Sequence, residues 1–73
     1  MDPFILYWMP DPDLHRDETD SIFGTPEVER AFRWVNDTLE TNQIHWTMDG
    51  DGWSSELLIF DGEAGHFYIT RLH

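Results

Sequence analysis

The sequence predicts an α+β domain: an antiparallel β-sheet of about four to five strands with one main helix packed on one face, in the order β-(β)-α-β-β-β. Three observations carry this expectation. One stretch alone, Val28 to Leu39, repeats its apolar residues at helical spacing. Runs of β-forming residues stand before and after it. Asp49-Gly50-Asp51-Gly52 and Asp61-Gly62-Glu63-Ala64-Gly65 punctuate the later runs as turns, so those runs pair as a meander.

The elements follow in chain order. Phe4-Ile5-Leu6-Tyr7-Trp8-Met9 is apolar on both faces and reads as a buried strand, ended by Pro10 and Pro12. Asp11 to Asp20 is a polar loop with five carboxylates, one Arg and one His. Ser21 to Phe23 reads as a short extended piece, and Gly24 lets the chain turn. Thr25 suits a helix N-cap and Pro26 the first helical position, with Glu27 and Glu29 in the first turn, where the helix dipole favours negative charge. Val28, Ala31, Phe32, Val35 and Leu39 form one apolar stripe, and Trp34 lies off it. The helix ends near Asn42. Gln43 to Met48 alternates, with Ile44, Trp46 and Met48 on one face. Trp53 to Phe60 turns apolar on both faces at Leu57-Leu58-Ile59-Phe60 and reads as a central strand. His66 to Leu72 closes the sheet.

Length and charge bound the function. The chain of 73 residues is read as a single domain, 1-73, with one small core. Fifteen Asp and Glu against four Arg and no Lys give a formal net charge of −11. Charge of this size opposes compaction through self-repulsion, and it disfavours nucleic acid and anionic membranes while favouring a basic protein surface. An apolar fraction of 40% separates the chain from a disordered acidic tail. With no cysteine there is neither a disulfide framework nor a thiolate metal site. The run Phe4 to Met9 is too short to span a bilayer, and no basic region precedes it, so a soluble cytoplasmic protein is expected.

Catalytic and metal chemistry find little footing, and no enzyme, catalytic residue, cofactor or metal is expected. His15, His45, His66 and His73 are scattered without ligand spacing and read as surface or strand residues. Asp49-Gly50-Asp51-Gly52 with Glu56 faintly suggests a calcium loop, but it is shorter than an EF-hand loop and lies between two strands. Ser21 has no His at a fixed spacing to activate it.

The stretch Asp20-Ser21-Ile22-Phe23, then a short gap and Pro26-Glu27 opening an amphipathic helix, resembles the uracil-DNA glycosylase inhibitors of bacteriophages. Members carry a Glu-Ser-Ile-type stretch on an edge strand directly before a helix, followed by an antiparallel meander. Here the family's Glu is Asp20, one methylene shorter. The family's second carboxylate falls at Val28, so Glu27 or Glu29 would replace it. The strand Phe4 to Met9 has no counterpart in the best-known member.

The resemblance implies an acidic protein that imitates DNA in the basic groove of the glycosylase and blocks uracil excision. A glycosylase flips a base out of the duplex and fills the vacated stack with an apolar side chain. Asp20 and Ser21 would stand in for phosphates on the edge strand, with Asp17 and Glu18 beside them. Ile22 and Phe23 would lie on the same strand, and Glu27 and Glu29 at the helix start. A hydrophobic pocket between the helix stripe (Val28, Ala31, Phe32, Val35) and the sheet (Ile44, Trp46, Leu57, Ile59) would take up the enzyme's inserted side chain. Two other readings stay open: another phage anti-defence DNA mimic, acting on CRISPR or restriction enzymes, or an immunity or antitoxin-like protein capping a basic partner. A halophile's acidic housekeeping domain fits less well, because five carboxylates cluster within Asp11 to Asp20 instead of spreading over the surface. Trp34, an aromatic residue beside charge and off the stripe, suits a protein interface.

Overall fold

A computed structural model describes residues 3–10 and 20–72; of Asp20 it describes the backbone. The strands are β1 (Phe4–Pro10), β2 (Asp20–Thr25), β3 (Trp46–Asp49), β4 (Gly52–Ser55), β5 (Leu58–Phe60) and β6 (Glu63–Arg71), with one helix, α1 (Val28–Leu39), between β2 and β3. All pairings are antiparallel, in the order β2-β1-β6-β4-β3. β5 shares with β4 the edge of β6 that faces away from β1. The α+β architecture read from the sequence is present, with six strands in place of four to five.

Strand alternation sorts the two faces. Leu6 and Trp8 of β1 stand opposite Ile69 and Phe67 of β6, and all four are buried. Ala31 and Val35, one helical turn apart, are fully buried against them and complete the core. Aromatic rings fill the remaining space between helix and sheet. Trp8 lies 4.8 Å from Phe67 and 5.1 Å from Phe60, and Phe32 lies 4.9 Å from Trp46 and 5.9 Å from Trp53, as ring centroids. Such tilted and edge-on pairs add to the burial of large apolar area. Gly65 lets the Trp8 ring lie close over β6, since a Cβ there would come within 2.7 Å of the indole.

The turns behave as their residues dictate. Asp61 and Gly62 both have positive φ (53° and 80°) between the paired Phe60 and Glu63, the two-residue hairpin geometry that Asp-Gly favours. Helix α1 ends at Glu40, which takes the left-handed conformation (φ 54°, ψ 44°) and donates its N–H to the carbonyl of Asn36.

Two expectations are corrected. Thr25 is the last residue of β2 and not the N-cap; that position is Glu27, whose side chain makes no capping bond. The buried Thr25 hydroxyl accepts from the Glu27 N–H (3.2 Å) and donates to the Glu27 carbonyl (3.1 Å), closing the corner between strand and helix. The expected single strand Trp53 to Phe60 is broken at Glu56 and Leu57. The break falls immediately after Ser55. Its buried hydroxyl accepts from the Phe67 N–H at 2.8 Å, where a main-chain carbonyl would otherwise continue the ladder, and donates to the Glu56 carbonyl at 2.9 Å. The ring Nδ1 of His66 lies 2.8 Å from the Ser55 carbonyl, and the Glu56 N–H donates to the His45 carbonyl, so the chain at the break stays satisfied.

Candidate functional site

β2 is the outer strand on one side of the sheet: it pairs with β1 and has no strand beyond it among the described residues. Asp20 and Ser21 begin this strand, and the chain runs from its end directly into α1. A bulge shapes its start. Phe23 stands opposite Leu6 and Ser21 opposite Tyr7, which leaves Ile22 as the extra residue. Ser21 is exposed, while Ile22 and Phe23 are half-buried and pack against the core. The strand is thus fixed from within and offers an outer row of backbone groups beside an acidic start.

Phe23 lies against Trp34 of the helix, with ring centroids 5.9 Å apart. A cleft of about 360 Å³ opens at this contact, lined by Phe23, Arg30, Arg33, Trp34 and Asp37. Its floor is aromatic and its walls are charged. Glu27 and Glu29 are exposed at the helix start on the same side of the sheet. Glu27 pairs with Arg30 at 3.4 Å, both side chains being more than 60% exposed, so water screens the pair and it contributes little.

Of the other described carboxylates, Asp37, Glu40, Asp49, Asp51, Glu56 and Asp61 are exposed, and Glu63 at the start of β6 is half-buried. Among the described residues no group of three or more His, Asp or Glu is close enough to hold a metal ion.

No family model, curated protein or solved structure matches this chain. The site therefore rests on its own geometry.

Measured against the sequence reading, the structure joins part of the expected set. Ser21, Ile22 and Phe23 lie on the edge strand with the backbone of Asp20, and Glu27 and Glu29 follow at the helix start. Asp17 and Glu18 lie outside the described residues. Of the expected pocket, Ala31 and Val35 are fully buried, and Val28, Phe32, Ile44 and Trp46 pack around the same core. Leu57 and Ile59 are corrected: they are 55% and 65% exposed. Leu57 sits in the break after Ser55, and Ile59, paired with Ala64, points away from the face that holds Leu58 and Phe60. Between α1 and the sheet, Phe32, Trp46 and Trp53 fill the space where an inserted side chain was expected. The apolar recess beside the edge strand is built instead by Phe23 and Trp34. Position of Trp34 off the helical stripe was its one sequence signal; the charged walls Arg30, Arg33 and Asp37 gave none.

Proposed function

We propose that this chain is a binding protein without catalytic activity, an acidic DNA mimic that occupies the DNA-binding groove of uracil-DNA glycosylase and blocks uracil excision. The observation that supports this reading best is the acidic edge strand leading straight into α1, in a chain of net charge −11. Asp20, Glu27 and Glu29 take the place of phosphates against the basic groove. The outer backbone groups of β2 are available to the enzyme surface. The Phe23–Trp34 cleft receives an apolar side chain of the enzyme, such as the one it inserts into the DNA stack. Charge steers the encounter and the apolar contact holds the complex, so the two contributions separate kinetically. The chain acts in the cytoplasm, where the enzyme and its DNA meet; no described helix is long and apolar enough to cross a membrane.

One observation favours a second reading. Because aromatic rings occupy the space between helix and sheet, a mimic that presents charge alone fits equally, and its target would be a Cas effector or a restriction enzyme. Purified chain added in parallel to a uracil-excision assay and to a Cas-effector cleavage assay separates the two. Inhibition of excision at near-stoichiometric chain is the expected result. Inhibition of cleavage alone transfers the proposal to the second target, and inhibition of neither refutes DNA mimicry of both enzymes.

A further inference from the structure

The face of the sheet opposite α1 has no covering element among the described residues. Along β1 it presents Ile5, Tyr7 and Met9, and along β6 His66 and Tyr68, with Tyr7 directly opposite Tyr68. Ile59 of β5 stands on the same face, 65% exposed, and Met9 is 37% exposed. Ser54 and Thr47 continue the face toward the far edge without charge. Among the described side chains, the one carboxylate that strand alternation puts on this side is Asp49, at the rim beside the hairpin. Among the described residues a chain of net charge −11 thus keeps a largely uncharged surface around Tyr7 and Tyr68, with Asp49, Asp51 and Arg71 at the end where they line a cavity with Tyr68 and Thr70.

We infer that this face is the interface of a two-fold symmetric dimer, its occupant being a second copy of the same chain. Charge decides the occupant. A basic partner is drawn to the acidic edge and helix, not to a neutral sheet face. Two copies at −11 each repel one another wherever carboxylates would meet, and among the described residues this face brings the fewest of them together. Sheets stacked ~10 Å apart would leave the two helices on the outer surfaces, separated by more than a Debye length of ~8 Å. Strands β1, β3, β4, β5 and β6 hold 7, 4, 4, 3 and 9 residues. At ~3.3 Å rise and ~4.8 Å spacing they make a patch of roughly 430 Å² before side-chain relief, below the ~800 Å² per partner of a standard interface and in the range of a weak dimer. Tyrosine is enriched at such interfaces. A contact over β1, β6, β4 and β3 leaves α1 and the outer edge of β2 free in both copies, with Ser21 at the border of the face beside Tyr7.

Sedimentation equilibrium of the full chain tests the inference. The expected species has twice the 8.7 kDa mass of the chain. Its association tightens as salt rises from ~20 to ~500 mM, because screening removes repulsion between like-charged copies. Tyr68→Asp places two unpaired carboxylates in an isologous contact and is expected to weaken association ~100-fold or more. Met9→Glu, at an exposed position, does the same if Tyr68→Asp proves misfolded by circular dichroism. Glu29→Gln on the helix leaves the association unchanged or stronger. A wild-type monomer at ~1 mM in high salt overturns the inference, as does a Met9→Glu chain that dimerises like wild type.

Discussion

Ser55→Ala removes the hydroxyl that ends β4, and its effect follows from two hydrogen bonds. The Ser55 Oγ accepts from the Phe67 N–H at 2.8 Å and donates to the Glu56 carbonyl at 2.9 Å. Phe67 is fully buried and Ser55 is 4% exposed, so water does not readily replace the lost acceptor. An N–H left without a partner in the interior costs about 1–3 kcal/mol, a large share of the stability of a small domain. For a domain of this size each kcal/mol moves Tm by ~4–8 °C, so a fall on the order of 10 °C is expected. Urea unfolding followed by Trp fluorescence gives the free energy, and a thermal melt by circular dichroism gives Tm. Ser54→Ala is the control: its residue faces the other side of the sheet, and it should change stability by less than about 0.5 kcal/mol. A Ser55→Ala chain within about 0.5 kcal/mol of wild type would refute the role given to this hydroxyl as acceptor for the buried Phe67 N–H.

The remaining predictions concern the turn, the core and the proposed site. Glu40→Gly relieves a left-handed residue at the helix end and should raise stability by about 1 kcal/mol in urea unfolding. Gly65→Ala drives a Cβ against the Trp8 ring and should destabilise by about 1–3 kcal/mol, seen as a lower urea midpoint. Asp20→Asn should slow association with the glycosylase and leave Tm unchanged; surface plasmon resonance and a melt read the two effects separately. Rising salt should slow wild-type association with the enzyme markedly and alter dissociation little, and an association rate indifferent to salt would count against mimicry.

Much of the fold was legible because its signals are local. The stripe Val28, Ala31, Val35 and Leu39 gave the helix, and Asp49 to Gly52 and Asp61-Gly62 gave the hairpins, since period and turn chemistry act within a few residues. The break at Ser55 was not legible. Ser54 and Ser55 are the same letter in sequence, and only the approach of Phe67 in β6 turns one hydroxyl into a ladder acceptor. Leu57 to Phe60 read as a central strand because an apolar run suggests burial on both sides. In the sheet, β5 stands off the main strand order, pairs with β6 and leaves Ile59 exposed. Thr25 carried an N-cap signature, yet the same hydroxyl closes a corner two residues earlier. For the site, Asp20 and Ser21 fall on the outer described strand, which runs into the helix. The recess beside that strand depends on Phe23 meeting Trp34 across the space between β2 and α1, a tertiary contact with no fixed spacing.

Competition with DNA tests the proposed occupancy of the groove most directly. A fluorescent duplex is bound to purified uracil-DNA glycosylase, and the chain is titrated in while anisotropy is read at constant salt. Anisotropy should fall to the value of free DNA near one equivalent of chain per enzyme, and excess unlabelled duplex should not quickly restore it if an apolar contact holds the complex. Anisotropy that stays at the bound value through a large excess of chain would contradict groove occupancy by this protein.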